Sequence, residues 1–422
     1  MSKEVVKKIY VKSLPEDIIS GDSYVIEQPN PNSYTHSFFK YPCKFIPEIP
    51  RWAIKRYLSQ SDQIIFDPFA GSGTSILEGI IQNHDSYGTE IDDVAKLIIK
   101  TKTTQFSDEQ ILTLEDSFNK LIGNLNIKLE ESDYPQINNL YHWFSKDTVE
   151  TLAKIRKNIN IIKDENIRDF MNIVFASIIK RTSYADDFSP KPYVSTKIIK
   201  NPPNPIDEFK RVYEKYLLLL KEFNSLDIKN SAKIIQGDAL NFKLDKRIDL
   251  AITSPPYINA FDYGRTMRLE NIWLNTITED ELRDKKKNYV GTESINVKEE
   301  SENLEILKDS KLLFSYYEKI KNVDLRRANV MKKFFEDMKI NLSLVYDNLK
   351  TGGKYVIVIG DSNIRKVKIE SWKILLEIAE NIGFKQENYF NYLIQNPYIR
   401  IPRQNKGGKI KVDHVIVLEK GE

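Results

Sequence analysis

Cysteine, histidine and long apolar runs are scarce in this sequence. A single cysteine among 422 residues excludes an intramolecular disulfide framework and a multi-cysteine zinc or iron–sulfur site. Four histidines leave little material for a metal cluster, so we expect no metal centre. No apolar run approaches the roughly 18 residues that span a bilayer, and the N-terminal segment lacks the apolar core of a secretory signal. We therefore expect a cytoplasmic protein of a reducing compartment, with no membrane partner.

The charge of the chain is nearly balanced, with 63 basic and 60 acidic residues. The resulting net charge of +3 demands no polyanionic partner, so a nucleic-acid surface would have to come from local clustering. The composition is 41% hydrophobic and 29% charged, which is enough apolar material for a sizeable core. The length predicts two or three structural units, or one catalytic domain with large insertions.

A strand, a glycine turn, a helix and a second strand follow one another between residues 64 and 91. This order is half of a doubly wound parallel sheet. Helically spaced Leu, Ile, Lys and Glu then interrupt the alternation, which resumes near Ala232. We therefore predict an α/β protein with a principal domain made of 1–102 and 231–422, a mainly helical insertion at 103–230, and a polar insertion at 258–330.

The turn Asp67-Pro-Phe-Ala-Gly-Ser-Gly-Thr74 lies where a predicted strand becomes a helix. Its glycines allow the backbone to approach a ligand closely, and the helix N-terminus offers free N–H groups. The turn lacks the third glycine of the dinucleotide fingerprint and the Gly-Lys-Ser/Thr of a phosphate loop. On its own it is also compatible with an ordinary strand–helix junction.

Three carboxylates, those of Asp67, Glu90 and Asp238, end successive predicted strands. Glu90 can accept hydrogen bonds from both hydroxyls of a ribose. Acids at this edge disfavour a phosphate-bearing ligand and suit a nucleoside that carries positive charge. S-adenosylmethionine, an adenosine joined to a sulfonium and an ammonium, has this chemistry. For Asp238, a turn or helix-cap aspartate is the alternative.

The segment Thr253-Ser-Pro-Pro-Tyr257 ends another predicted strand. Each proline fixes its own φ and holds the preceding residue out of the helical conformation. The Pro255 carbonyl and the Ser254 hydroxyl then form a polar clamp beside an aromatic plate, Tyr257. This clamp suits an exocyclic amine, whose lone pair is directed towards a methyl donor by positioning and electrostatics. In isolation, a rigid turn explains the segment equally well.

Together, the glycine turn and Ser-Pro-Pro-Tyr resemble the amino-group DNA methyltransferases of bacteria and archaea. The resemblance covers roughly 36–100 and 230–275, and the C-terminal strands more loosely. It implies a Rossmann-like methyltransferase fold with a mostly parallel seven-stranded sheet, and S-adenosylmethionine as cofactor. The Ser-Pro-Pro-Tyr form is similar to the cytosine-N4 branch, whereas Asp- or Asn-Pro-Pro-Tyr is commoner among adenine-N6 enzymes.

The resemblance also implies roles for particular residues. The catalytic turn is expected to be formed by Ser254, Pro255, Pro256 and Tyr257. The residues expected at the cofactor are Lys44, Phe45, Asp67, Pro68, Phe69, Ala70, Gly71, Gly73, Thr74, Glu90 and Asp238. Lys44 and Phe45 belong to the stretch 36–47, which resembles the segment that packs over the methionine end of the cofactor. Cys43 precedes the glycine turn and so does not fit the nucleophile of a cytosine-C5 enzyme.

Two loops are candidates for nucleic-acid contact. Residues 396–412 carry five cations and no acid, which suits phosphate contact, although a solvated loop is the alternative. The loop 180–205 offers cations together with Tyr184 and Tyr193, which could stack or wedge. The expected DNA contacts are Arg181, Lys191, Arg400, Arg403, Lys406 and Lys409. A paired base must leave the stack to reach such a pocket, so base flipping is expected.

The predicted function is site-specific methyl transfer to cytosine N4 in double-stranded DNA, in a prokaryotic cytoplasm. A restriction endonuclease acting on the same site is the expected partner, on the resemblance alone. The alternatives are an adenine-N6 DNA methyltransferase, an RNA guanine-N2 methyltransferase, and a binding module on a degenerate methyltransferase fold. The intact glycines, Glu90 and Ser-Pro-Pro-Tyr argue against the last. Which insertion, 103–230 or 258–330, reads the target stays open, as do the recognition sequence and the oligomeric state.

Overall fold

The computed structural model describes residues 8–27, 32–42, 44, 46–258, 263–394 and 411–421. Five predicted site residues lie outside these described residues: Phe45, Arg400, Arg403, Lys406 and Lys409. The strands are β1 (Lys8–Val11), β2 (Ser23–Ile26), β3 (Ile65–Asp67), β4 (Ser86–Gly88), β5 (Ala232–Ile234), β6 (Gly237–Asp238), β7 (Asn241–Phe242), β8 (Ile248–Thr253), β9 (Leu349–Gly360), β10 (Ser362–Ile364), β11 (Val367–Ile369), β12 (Phe384–Leu393) and β13 (Val412–Lys420).

Helices connect these strands. They are α1 (Glu48–Tyr57), α2 (Thr74–Ile81), α3 (Asp93–Thr103), α4 (Asp108–Gly123), α5 (Leu140–Trp143), α6 (Lys146–Asn160), α7 (Glu165–Thr182), α8 (Pro205–Asn224), α9 (Tyr263–Thr266), α10 (Arg268–Trp273), α11 (Glu279–Lys285), α12 (Val297–Glu302), α13 (Lys311–Lys321), α14 (Leu325–Asn348) and α15 (Ser371–Ile382). Short 3-10 turns occupy Tyr34–Ser37, Glu131–Asp133, Lys286–Asn288 and Glu305–Lys308.

One sheet organises the described part of the chain, in the order β1-β2-β12-β13-β9-β8-β3-β4-β5. Strand β13 is antiparallel to both of its neighbours, and the other pairings in this sheet are parallel. The predicted Rossmann-like, mostly parallel sheet is therefore confirmed. Two N-terminal strands extend the predicted seven to nine, because Ser23 and Tyr24 of β2 pair with Asn391 and Tyr392 of β12.

Strands β3 and β8 are neighbours near the middle of the sheet. Ile65 pairs with Leu250, and Phe66 pairs with Ala251. Because the two strands are parallel, the loops that follow them emerge at the same edge of the sheet. Ligands of open α/β sheets bind outside the carboxyl ends of such strands. The register therefore brings the glycine turn and the Ser-Pro-Pro-Tyr turn together.

Most of the helices between β4 and β5 begin at side-chain caps, and the short helix α5 does not. Ser107 and Gln110 form a capping box on α4, and Asn204 caps α8, whose first residue is proline. The buried faces of α6, α7 and α8 share one core with Phe38 and with Trp273 of α10. The helical region thus packs onto the segment before the glycine turn and onto α10.

The charged segment 258–330 also reaches the interior. Trp273 of α10 and Leu313 of α13 are fully buried, and Leu313 shares a core with Phe334 and Tyr355. Most of its charged side chains are exposed or half-buried, whereas Glu270 and many of its apolar side chains are buried. The composition predicted a polar insertion, and the structure shows helices that complete two parts of the core.

Candidate active site

A cavity opens to solvent at the carboxyl edge of β3, β4 and β8. The predicted site residues that line it are Lys44, Pro68, Phe69, Ala70, Gly71, Thr74, Glu90, Asp238, Ser254 and Pro256. The cavity therefore joins the glycine turn, the Glu90 carboxylate and the first part of the Ser-Pro-Pro-Tyr turn in one space.

A buried hydrogen bond holds the two motifs side by side. Thr253 Oγ1, at the end of β8, donates to Asp67 Oδ1, at the end of β3, at 2.6 Å. The hydroxyl of Ser75 and the amide of Phe69 also donate to the Asp67 carboxylate. Burial raises the pKa of Asp67 to about 6, and these three donors oppose the rise. Asp67 thus ties strand, turn and helix together from behind the cavity wall, which differs from the predicted direct cofactor contact.

Two positions of the glycine turn have left-handed backbone conformations, Gly71 at φ 51° and Gly73 at φ 74°. A Cβ on Gly73 would lie 2.9 Å from Cγ1 of Ile99, so glycine permits the close packing of α2 against α3. Gly73 caps α2 and does not line the cavity, whereas Gly71 does. Between them, Ser72 Oγ is buried in the wall without a hydrogen-bond partner among the described residues.

The Glu90 carboxylate accepts three backbone hydrogen bonds. The donors are the amides of Gly71, at 2.8 Å, Ile91, at 2.9 Å, and Asp92, at 2.8 Å. Burial raises the pKa of Glu90 to about 7 despite these three donors. A carboxylate has about four acceptor positions. The three backbone donors therefore leave about one acceptor position of Glu90 for a ligand, whereas the sequence predicted hydrogen bonds from both ribose hydroxyls.

Lys44 reaches the cavity from the segment that precedes α1. Its Nζ donates to the carbonyl of His36 at 2.8 Å. Burial lowers the pKa of Lys44 to about 8. His36 Nε2 lies 3.0 Å from Oε1 of Glu78 on α2, and both side chains are buried. The segment that carries Lys44 is thus anchored to the helix that follows the glycine turn.

Asp238 lines the cavity from the hairpin β6–β7. Its Oδ1 accepts a hydrogen bond from the amide of Leu240 at 2.8 Å. One carboxylate oxygen therefore stabilises the turn, as the alternative interpretation proposed, while the residue also forms part of the wall. Strand β5 ends at Ile234, so Asp238 belongs to the hairpin that follows the strand rather than to the strand itself.

The Ser-Pro-Pro-Tyr turn is divided between the cavity and the interior. Ser254 and Pro256 line the cavity, and Pro255 is buried behind them. Tyr257 does not line the cavity, since its hydroxyl donates to Oδ1 of Asp413 on β13 at 2.8 Å. Burial raises the pKa of Asp413 to about 6, and the bond from Tyr257 opposes the rise. The aromatic plate that the sequence predicted beside Ser254 is therefore fixed to a strand instead.

Part of the cavity wall comes from residues that the sequence did not single out. Tyr289 belongs to the charged segment 258–330, and its hydroxyl donates to Oδ2 of Asp92, the cap of α3, at 3.3 Å. Burial raises the pKa of Tyr289 well above its usual range. No motif marked this stretch. The unpredicted wall residues are Tyr41, Pro42, Ser72, Thr89, Ile91, Ala239, Leu240, Asn288, Tyr289 and Val290.

The described cations predicted to contact DNA differ in their surroundings. Arg181, exposed at the end of α7, pairs with Asp187 at 2.8 Å and lies 3.7 Å from Glu208. Acids therefore already offset its charge. Lys191 is exposed on the loop between α7 and α8.

Comparisons with known proteins show similarity to methyltransferases. Residues 2–101 match the N6_N4_Mtase family, described as DNA methylase. The chain is 25% identical over 399 residues to the Type II methyltransferase M.MvaI of Kocuria varians, covering 89% of this chain and 87% of that protein. It is 25% identical over 437 residues to the Type II methyltransferase M.BsoBI of Geobacillus stearothermophilus, covering 90% and 84%. The chain is therefore similar to DNA methylases over residues 2–101 and to Type II methyltransferases over most of its length.

A solved S-adenosylmethionine-dependent methyltransferase from Methanosarcina mazei aligns with 87% of this chain and 96% of its own, at 10% identity and a TM-score of 0.31. The sequence predicts S-adenosylmethionine as the cofactor. The cavity fits this group, since the buried hydroxyl of Ser72 has no hydrogen-bond partner among the described residues and two carboxylates line a largely apolar wall. Within the described ranges, no helix is long and apolar enough to cross a membrane.

Proposed function

We propose that the protein is a site-specific DNA methyltransferase that modifies the exocyclic N4 amine of cytosine. The observation that carries the proposal is the shared cavity, in which Ser254 and Pro256 face the same space as Pro68–Ser72, Thr74 and Glu90. The choice of cytosine rests on the serine at position 254, because the Ser-Pro-Pro-Tyr form is similar to the cytosine-N4 branch.

The proposed cofactor site is the part of the cavity between the glycine turn and the hairpin β6–β7. Gly71 offers a close backbone approach, and the Glu90 carboxylate retains an acceptor position for a ribose hydroxyl. Asp238 adds negative charge that suits the cationic groups of the cofactor. Lys44 supplies a cation for the methionine carboxylate. Asp67 and Gly73 contribute by shaping the turn from behind.

The catalytic turn is proposed to orient the amine. When bound, S-adenosylmethionine supplies the methyl group and a thioether leaving group. Ser254 Oγ and the Pro255 carbonyl accept hydrogen bonds from the amine, which turns its lone pair towards the methyl carbon. The new nitrogen–carbon bond forms as the carbon–sulfur bond breaks, and the amine then releases one proton to water. Positioning and electrostatics supply the rate enhancement, without a covalent enzyme intermediate.

A base that remains stacked in the duplex cannot bring its amine to the Ser-Pro-Pro-Tyr turn, so the target is proposed to flip out of the stack. Lys191, with Arg400, Arg403, Lys406 and Lys409, is proposed to contact phosphates. Arg181 contributes less, because Asp187 already pairs with it. We propose that the protein protects host DNA as the modification partner of a restriction endonuclease.

The test is the identity of the methylated nucleoside. Purified protein is incubated with labelled S-adenosylmethionine and either plasmid DNA or tRNA, and the labelled polymer is digested to nucleosides. We expect N4-methylcytosine from the plasmid and no labelled tRNA. Finding only N6-methyladenine would overturn the base assignment, and labelling of tRNA alone would overturn the polymer assignment. Sequencing DNA from a host that expresses the protein identifies the bases around the modified position.

A further inference from the structure

The loop between α7 and α8 carries exposed apolar side chains that the proposed site does not use. The exposed fractions are 64% for Phe188, 69% for Ile198 and 93% for Ile199. A single apolar side chain on a surface is ordinary, whereas several in one loop indicate a surface that meets a partner.

Polar side chains fold this loop into ordered turns. Asp186 Oδ1 accepts a hydrogen bond from the amide of Phe188 at 2.8 Å. Ser195 Oγ accepts one from the amide of Ile198 at 3.0 Å. The amide of Asp186 donates to the carbonyl of Tyr193 at 2.9 Å, which closes the first turn. Such side-chain-to-backbone bonds define turns locally. The exposed tips therefore belong to defined turns.

The two ends of the loop are fastened together by a lysine. Lys200 Nζ donates to the carbonyls of Lys180 and Ala185, each at 2.9 Å, and pairs with Asp187 at 2.8 Å. The Lys200 ammonium is occupied by these partners within the loop stem, so it is not available to a ligand. The turns that carry Phe188, Ile198 and Ile199 are consequently attached to the end of α7 through a loop stem held by hydrogen bonds.

The charge of the loop favours a nucleic acid over a protein as the partner. No acidic residue occurs from Phe188 to Lys200, and Lys191 and Lys197 are exposed beside the apolar tips. Duplex DNA offers phosphates to lysines and base steps to apolar wedges. The end of α7 also lies beside the segment that enters the cavity wall at Tyr41. The hydroxyl of Tyr216 lies 2.9 Å from Ser177 Oγ on α7 and accepts a hydrogen bond from the amide of Phe39 at 2.7 Å.

We propose that residues 186–199 form a DNA wedge, which inserts Phe188, Ile198 and Ile199 between bases of the duplex beside the target. The wedge separates stacked bases and fills space that the extruded base leaves, which favours the flipped state. Lys191 and Lys197 hold the adjacent phosphates. This inference rests on the proposed DNA methylation and adds the element that opens the duplex.

The test compares the full-length protein with the variant F188S/I198S/I199S. Two duplexes carry the recognition sequence read from host DNA, one fully paired and one with an abasic site opposite the target base. In the second duplex the target is already unpaired, so a wedge is less necessary. We expect kcat of the variant to fall about 10-fold or more on paired DNA and to stay within about 2-fold of native on the abasic duplex. Ile161→Ser, at a residue 61% exposed on the helical region, serves as the matched control and is expected to behave as native on both.

Each contrary outcome has a separate meaning. Equal losses on both duplexes, or full activity of the triple variant on paired DNA, would overturn the wedge. Native methylation combined with altered self-association in sedimentation would assign the patch to a second copy of the chain, and would overturn the wedge as well. Failure of the native protein to methylate either duplex would instead reject the proposed function, and the wedge with it.

Discussion

The hydroxyl of Thr253 lies 2.6 Å from the carboxylate of Asp67, and this contact joins the ends of β8 and β3. Both residues are fully buried. The glycine turn begins at Asp67, and the Ser-Pro-Pro-Tyr turn begins immediately after the hydrogen-bond donor. This hydrogen bond beneath the cavity therefore adds to the pairing of β3 with β8 in fixing the relative position of the proposed cofactor and amine sites.

Removing this donor should affect both stability and methyl transfer. Thr253→Val removes one of the two donors to the buried Oδ1 of Asp67 and leaves only the amide of Phe69 there. This loss is expected to lower the free energy of unfolding by about 1–3 kcal/mol in urea titrations. We expect turnover to fall more than cofactor affinity, because the two turns lose their alignment. Thr253→Ser keeps the hydroxyl and should restore most of both. Native stability and turnover in Thr253→Val would show that the strand register alone aligns the turns.

Ser254→Ala tests the proposed amine clamp. A positioned hydrogen bond that acts on the reacting group is worth about 100-fold or more in turnover. We expect a loss of this size in methyl transfer, with the S-adenosylmethionine dissociation constant nearly unchanged in calorimetry. Ser75→Ala, which removes a donor to Asp67 rather than a wall residue, is the comparison for indirect effects. A parallel loss of cofactor binding in Ser254→Ala would contradict the division of roles.

Variants of Tyr257 distinguish two roles for this residue, stacking on the target base and tethering the Ser-Pro-Pro-Tyr turn to β13. Its hydroxyl donates to the buried Asp413 at 2.8 Å. Tyr257→Phe keeps the ring and removes only this bond, so a tethering role predicts a loss of about 1–3 kcal/mol in unfolding free energy together with reduced turnover. If the ring only stacks on the target base, Tyr257→Phe should keep native turnover and Tyr257→Ala should lose it. Thermal unfolding and turnover of both variants distinguish the two cases.

The cavity predicts that cofactor affinity is highest near neutral pH. Burial raises the pKa of Glu90 to about 7, so the carboxylate gains its charge, and the cationic cofactor binds more tightly, as pH rises through that value. Burial lowers the pKa of Lys44 to about 8, so its attraction for the methionine carboxylate is lost as pH rises further. We expect the dissociation constant, measured by calorimetry, to be lowest between these two values.

Two variants show which residue causes each limb of the pH profile of the cofactor dissociation constant. Glu90→Gln should weaken binding and remove the acidic limb, since the amide does not titrate. Lys44→Met should remove the alkaline limb. A profile that keeps its acidic limb in Glu90→Gln would place the titrating group elsewhere.

Salt dependence tests the exposed lysine of the loop. Lys191→Gln should weaken DNA binding and reduce the slope of log affinity against log salt by about 0.9, the value for one phosphate contact. Lys163→Gln, at an exposed lysine between α6 and α7, is the control and should leave the slope unchanged. An unchanged slope in Lys191→Gln would remove this residue from the interface.

Much of the site could be predicted because short motifs carry backbone geometry with them. Gly71 has the left-handed conformation that its motif requires, and Ser254 lines the cavity as expected. Tyr289 could not be predicted, because a charged stretch without a motif does not reveal which of its side chains a distant fold will bury. The position of Tyr257 differed from the predicted aromatic plate for a related reason. Its partner Asp413 is remote in the chain and becomes a neighbour only through the antiparallel strand β13.

The sequence alone determined the alternation of strands and helices, the glycine conformations and the rigid proline turn, because these depend on neighbours along the chain. Only the tertiary structure decided which carboxylates face the cavity. Asp67, Glu90 and Asp238 look equivalent at predicted strand ends, yet three donors hold Asp67 behind the wall and the other two line it. That distinction depends on strand register and on hydrogen-bond donors from distant segments, and local sequence contains neither.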